Sequence, residues 1–446
     1  MSNMSEHTTT RPGALAVALA GLLALAIAMG LGRFAFTPML PLMVRDGLLD
    51  LRQGSWLATL NYLGYLLGAL ACMALPWLLR QPQRLRAWGP WLLLAGLAAT
   101  AVLLLLMALP LAWLWPGVRL LAGVASAVAF VHTSGWCLEQ LAMRRAGQLG
   151  GIVFSGPGIG ILASGLMAWA LQARPALLTW AVQALAAAVM AAWVLRVVWR
   201  SGALQRVASA AAVDTADAAA ASAAPSASAA PAATPAPSTA PAAPATASAQ
   251  PAAWTAQPWL LALAYGLAGF GYIITATYLP VIAQGVIPGS RWIAWFWPIF
   301  GACVALGAAS TGLIPARVDR RWLLLLCHLL QACGVVLPLL LPNATGFVLG
   351  SALLGLPFTA ITLFGMQEAR RLRPAQATAF MGSLTALYGL GQIAGPPLVV
   401  RLLHGAASQQ QGFALALWVA AAGLLAGALL YGLMLALERR SLHARR

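Results

Sequence analysis

The chain has no lysine, and only nine of its 446 residues are acidic. Charged residues of both signs reach 8%, where soluble domains run near a quarter, so a water-exposed globular surface is excluded. Histidine and cysteine are equally sparse, at five each. The cysteines (Cys72, Cys137, Cys303, Cys327, Cys333) all fall inside apolar segments without a CxxC pair, which reads as small buried hydrophobes. No HExxH, phosphate-binding glycine loop or Gly-x-Ser-x-Gly elbow occurs. An integral-membrane enzyme would need acids or histidines clustered at one depth, and none are placed so; neither enzyme activity, a cofactor nor a metal is expected. The net charge of +17 comes entirely from 26 arginines. They form no basic face interleaved with aromatics, so a nucleic-acid partner is not expected either; they gather in short clusters between apolar runs, the pattern of membrane orientation.

What is abundant is apolar: 61% of the residues are hydrophobic. Twelve stretches reach the roughly 20 apolar residues a membrane span needs: 14–37, 55–79, 89–110, 117–138, 149–171, 176–198, 259–283, 292–314, 322–341, 346–366, 378–401 and 413–437. The first continues past the length of a signal-peptide core without a clear cleavage site, so it is expected to stay as an uncleaved span. Between spans six and seven lies a segment dominated by Ala, Pro and Ser, with no helical stripe and few bulky side chains. It reads as a disordered tether. The resulting division is a tail at 1–13, a bundle at 14–200, a linker at 201–257, a second bundle at 258–438 and a basic tail at 439–446. Nineteen arginines fall in segments on the side of the two termini and six on the other, with Arg33 left inside the first span. That bias places both termini and the linker in the cytoplasm, as in a bacterial inner membrane.

Six spans, a long tether and six more resemble the major facilitator superfamily, whose halves are parallel repeats rocking about a site near the midplane. The resemblance implies an all-α integral membrane fold of twelve transmembrane helices in two six-helix bundles. In "GLIPARVDRRW", Gly312, Asp319, Arg320 and Arg321 resemble the superfamily's Gly-to-basic loop, implied to stabilise the outward-facing state through charge pairs that break on opening. The first-half copy, "ALPWLLRQPQRLR", keeps the basic residues but has lost the glycine and the acid. Glu139 before Arg144–Arg145 and Glu368 before Arg370–Arg371 suggest a further internal repeat. "RLLAGVASA" places Arg119 and Gly123 as in the R-x-x-x-G motif, where the arginine is tied to proton movement; an arginine snorkelling to the interface is the competing reading. "GIVFSGPGIGILASG" carries Gly156, Pro157, Gly158 and Gly160 as in the antiporter motif, with departures. The motif's second glycine is Ile161, its upstream glycine comes one place early at Gly151, and "GQIAGPPLVV" in span eleven is not an in-register copy. Small residues at this spacing let a neighbouring helix approach and the proline permits a bend, as ordinary close packing also would. "MGLGRFAFTPMLPLM", "NYLGYLLGA", "FSGPGIG" and "YGLGQIAGPP" together resemble the YbfB/YjiJ branch of the superfamily, across both halves.

His132 and His328 are the only membrane-embedded groups with ordinary pKa values near neutrality; each reads first as an interhelical hydrogen-bond donor and second as a proton carrier. Arg33 carries the sharpest expectation. A guanidinium within a span is costly unless it faces protein or a water-filled cavity. It is either a structural arginine, bonded to carbonyls of a neighbouring helix or snorkelling outward, or a cavity arginine whose planar fork binds an anion. Thr37, Asn61, Tyr65, Tyr272 and Tyr278 are the companions expected around it. The function this predicts is secondary active transport of a small organic solute, an anion being one option, by alternating access with protons as coupling ion, in a lipid-embedded monomer. Multidrug-type efflux and a transporter-like sensor are the alternatives.

Overall fold

The computed structural model describes residues 12–78, 88–205, 256–315 and 317–443. Most of the 201–257 linker, the N-terminal tail through Arg11, the loop arginines Arg80, Arg84 and Arg86, and the terminal Arg445 and Arg446 lie outside the described residues. Among the described residues the regular structure is helical throughout, and twelve helices are long and apolar enough to cross a membrane. They are α1 (Ala14–Arg45), α2 (Leu51–Leu78), α3 (Gly89–Met107), α4 (Trp115–Met143), α5 (Gly147–Ala170), α6 (Ala176–Arg200), α7 (Ala256–Val286), α8 (Ile293–Leu313), α9 (Arg320–Leu340), α10 (Ala344–Leu372), α11 (Ala377–Gly405) and α12 (Gln409–His443). The chain is a multi-pass membrane protein. Hydrocarbon offers the backbone no water to bond, so each spanning segment must satisfy its own N–H and C=O groups, and the helix does this.

Polar caps sit at the helix ends. The Asp50 carboxylate accepts from the Gln53 N–H at 2.7 Å while the Gln53 side chain accepts from the Asp50 N–H at 2.9 Å, a reciprocal cap that starts α2. Asp319 caps α9 and Asn343 caps α10. Outward leucines such as Leu185, Leu306 and Leu429 are exposed, which suits lipid as solvent.

The first six helices pack on one another and so do the last six; the two sets meet along α2 with α11 and α5 with α8, with α1 against α7 between those seams. Three span ends lie well beyond those expected. α1 runs on to Arg45 rather than stopping at 37, because its prolines, Pro38 and Pro41, lie in a helix whose neighbours hold it. α10 reaches Leu372 and α12 reaches His443, each carrying a charged end beyond the apolar run. Arg33 therefore lies near the middle of its helix instead of close to its end.

α1 is also irregular. From Ala26 to Phe34 it is a π-helix containing Gly30 and Gly32, and the α-helix resumes at Phe36. Wider turns of this kind commonly mark functional positions. The "GPGIG" stretch explains how it is accommodated. A Cβ on Gly156 would lie 2.3 Å from the Leu22 carbonyl, and one on Gly160 would lie 2.3 Å from that of Ala26, so these two glycines admit α1. Gly158 faces the other way: a Cβ there would lie 2.3 Å from the Ala305 nitrogen of α8. α5 thus passes between the π segment of its own half and a helix of the other half. The helix is interrupted for one residue at Ser155, just before Gly156 and Pro157.

Candidate functional site

At the centre of the bundle a chain of side-chain bonds crosses five helices. The Asn61 amide of α2 donates to the Arg119 carbonyl of α4 at 3.0 Å. The Arg119 guanidinium contacts the Arg33 carbonyl of α1 at 3.4 Å. Arg33 in turn donates through Nη2 to the Gln392 side-chain oxygen of α11, and Gln392 donates through Nε2 to the Tyr272 hydroxyl of α7. Local geometry explains the middle link. Pro38 has no N–H to return to the Phe34 carbonyl four residues back, and the π segment ends at Phe34, so the helical bonding is interrupted beside Arg33. Arg119, 1% exposed, supplies a donor there.

Arg33 is 3% exposed and is covered by rings. Its guanidinium carbon lies 4.0 Å from the centre of Tyr65, 5.4 Å from Tyr62 and 5.3 Å from Phe34. The aromatic shell continues on the other half. Phe358 meets Phe34 at 5.8 Å and Tyr272 at 5.0 Å, and Tyr388 stacks on Tyr272 at 5.7 Å and 23°. Among the described residues neither Arg33 nor Arg119 has a carboxylate partner, and the Nε of each is buried without a hydrogen bond. Two buried cations with unfilled donors make an electropositive centre, and an anion answers it chemically.

Three further bonds join the halves. Thr37 donates to the Ala276 carbonyl at 2.6 Å, Tyr62 and Thr277 share a hydroxyl bond at 2.8 Å, and Tyr278 donates to Ser55 at 2.6 Å. Beyond this layer, at the end of the bundle opposite the termini, lies a cavity of about 990 Å³ lined by residues of both halves, among them Pro41, Gln172, Val281 and Phe413. At its rim Asp46 takes the Ala176 N–H at 2.6 Å and pairs with Arg45 at 2.7 Å. Partial burial pushes its carboxyl up, but those bonds outweigh it and hold the carboxyl below its ordinary range.

A second cluster sits at the terminus end of the second half. Glu368, 1% exposed, takes Arg371 at 2.9 and 2.7 Å and lies 3.8 Å from Arg321. Arg321 also binds Asp319 at 2.7 Å and pairs with Glu438, which receives Arg371 at 3.3 Å. Burial raises the Asp319 carboxyl, while the Arg321 side chain and backbone N–H together lower it further, leaving it below its ordinary value. These pairs join α9, α10 and α12 of one half. Among the described residues the pairs named here stay within that half.

The other expected residues fall out as follows. Thr37, Tyr65, Tyr272 and Tyr278 lie in the layer around Arg33 or just beyond it. Asn61 departs from the expected group: its amide turns to α4 of its own half. Arg119 points into the bundle, so the snorkelling alternative is overturned. Gly123 lets α4 touch α2, since a Cβ there would meet the Asn61 carbonyl at 2.1 Å. His132 is half-buried near Gly89 of α3, away from the centre. His328 is buried between carbonyls of Leu324 and Ala264. Glu139 is exposed, and Arg144 binds Gln140 instead of it, so the suggested repeat with Glu368 does not extend to contacts. Arg320 lies over Phe364 at 5.6 Å, outside the pairing network. Sequence reasoning missed Tyr62, Tyr388 and above all Gln392. The signal for Gln392 was present: a lone amide inside an apolar span needs a partner.

Among the described residues, twelve helices in two sets of six meet at a polar centre with a seam on either side, the layout of the major facilitator fold. A family model described as "Uncharacterised MFS-type transporter YbfB" matches residues 25–230 and 216–432, and the chain belongs to that family. Among solved structures it is similar to a crystal structure of the nucleoside transporter NupG, determined as a point mutant. That match has 13% identity and a TM-score of 0.58, and covers 94% of this chain and 99% of the other. No curated protein sequence matches significantly.

Proposed function

We propose that the chain is a secondary active transporter that binds a small organic anion at Arg33 and moves it by alternating access, with protons as the coupling ion. One observation carries this reading: a buried arginine without a carboxylate partner, placed where the two halves meet. Substrate binding there would involve residues of both halves, as a rocking mechanism requires. Thr37, Tyr65, Tyr272 and Tyr278 are proposed as its surroundings, Arg119 as the group that fixes the α1 backbone, and Gly156, Pro157, Gly158 and Gly160 as the sliding contact. The proposed working unit is a monomer. The arginine bias supports a bacterial inner membrane with both termini in the cytoplasm.

The test is uptake by the purified protein in liposomes, with labelled carboxylates, a nucleoside and a lipophilic cation offered separately, with and without an imposed pH gradient. Carboxylate uptake driven by the gradient is expected. Arg33→Lys keeps the charge but loses the fork and is expected to weaken it; Arg33→Ala is expected to lose nearly all of it at unchanged membrane insertion. Preference for the cation, or normal transport by Arg33→Ala, would overturn the assignment.

A further inference from the structure

Gln392 holds a specific geometry, and we infer from it that the substrate is an aromatic carboxylate whose carboxyl group takes the place of the Gln392 carboxamide. The inference rests on the anion reading of Arg33 and narrows it. A carboxamide and a carboxylate share the same planar, three-heavy-atom outline. The carboxamide is held at one end by an Arg33 N–H from the first half, and at the other by the Tyr272 hydroxyl of the second. A carboxylate in that slot takes the Arg33 donor on one oxygen, and on the other it takes the Tyr272 O–H, which then donates instead of accepting. It also gains what the amide cannot supply: full charge opposite the guanidinium, and a second acceptor for the Arg33 Nε, which is buried and unpartnered. Gln392 is the resident stand-in that keeps the arginine satisfied when no substrate is bound.

The walls of the slot choose the rest of the molecule. The faces of the guanidinium are covered by Tyr65, Tyr62 and Phe34, so only its edge presents donors. On the far side Tyr272, Tyr388 and Phe358 form a second group of rings within 5.7 Å of each other in the Tyr272 pairs. A flat ring attached to the carboxyl stacks there; an aliphatic chain does not gain the same contact. Entry is from the cavity opposite the termini, through the Thr37–Ala276, Tyr62–Thr277 and Tyr278–Ser55 layer.

The experiment uses the full chain in liposomes with labelled benzoate as probe, and acetate, benzamide and uridine as competitors. Benzoate uptake is expected to saturate, and unlabelled benzoate is expected to compete roughly tenfold or more better than any of the three, because each lacks the ring or the charge. Two variants then separate a displaceable stand-in from a structural bond. Gln392→Ala removes the competing carboxamide and is expected to lower the KM for benzoate severalfold. Gln392→Glu supplies a tethered carboxylate to Arg33 and is expected to abolish it, while keeping the purified protein monodisperse. The opposite order, with the glutamate variant active and the alanine variant dead, would show a structural bond and overturn the stand-in. Acetate competing as well as benzoate would remove the aromatic requirement and leave the anion reading standing. Benzamide or uridine displacing benzoate equally would remove both. Should the glutamate variant not fold, the competition series on the unaltered protein decides alone.

Discussion

Substituting alanine for Gly158 tests whether the seam between the halves opens. The added Cβ would stand 2.3 Å from the Ala305 nitrogen and 2.7 Å from the Gly301 carbonyl oxygen, whereas ordinary contact begins at 3.4 Å. Both obstacles are backbone and cannot rotate aside, so α5 and α8 must part by about 1 Å. Overpacking of this size costs about 1–3 kcal/mol. The cost falls only on the arrangement in which the two helices touch, so it shifts the balance towards separated arrangements by about 5- to 150-fold. Gly160→Ala is the control. Its Cβ would stand 2.3 Å from the Ala26 carbonyl in the same half, a clash present in every arrangement, so it is expected to lower the unfolding temperature instead. The assay is oxidative cross-linking of Gly151→Cys with Ala309→Cys, on a background with the five native cysteines replaced. A Cβ at Gly151 already lies 4.0 Å from Ala309. Gly158→Ala is expected to slow cross-linking by the stated factor with little loss of thermal stability. If it cross-links at the parent rate and transports normally, the seam does not open and the mechanical role of these glycines is refuted.

Glu368→Gln removes the carboxylate shared by Arg371 and Arg321. Both arginines keep other carboxylates, Arg321 with Asp319 and Glu438 and Arg371 with Glu438, so the loss is expected to be about 1–3 kcal/mol, read as a lower thermal unfolding temperature in detergent, and a parental temperature would contradict it. Asp319 has its carboxyl lowered from 3.8 in the folded chain, so its contribution is complete above that value and erodes as the pH falls from there through the lowered one. Acid unfolding curves of the parent and of Asp319→Asn should therefore diverge at neutral pH and converge in acid. Arg119→Gln withdraws the guanidinium contact to the Arg33 carbonyl. A hydrogen bond from a charged group is worth about 1.5–3 kcal/mol, so the KM for the transported anion should rise roughly tenfold or more with insertion unchanged; an unaltered KM would free Arg119 of its positioning role.

Composition alone carried the span count, because a long apolar run has few alternatives in a chain with 8% charged residues. Arg33 was legible for the same reason, as a lone charge with nowhere polar to go. The rest depended on pairings that no local pattern contains. Gln392 acquires its meaning from a partner 359 residues away. The three glycines of "GPGIG" are equivalent as small residues, yet two serve α1 and one serves α8. The first helix runs on to Arg45, past the expected end at 37 and through Pro38 and Pro41, since in a membrane bundle neighbouring helices supply the bonds a proline cannot make.

The charge network and the glycine seams divide the mechanical work between them. Among the described residues the network ties α9, α10 and α12 together inside one half, so under the proposed alternating access it would stiffen that half as a unit. At the corresponding end of the first half, among the described residues, Arg144 binds Gln140 and the Pro12 carbonyl. What meets across the halves at this end is small or flexible: Gly151 near Ala309, and Met73 against Gly382. Contacts of that kind carry little directional energy and separate at low cost. The directional bonds between halves lie instead at the centre and above it, from Arg33–Gln392 to Tyr278–Ser55. Under the proposed rocking mechanism, a ligand that replaces the Gln392 carboxamide would act on the bonds that hold the halves together, which is where binding energy has to be applied for substrate to bias the equilibrium.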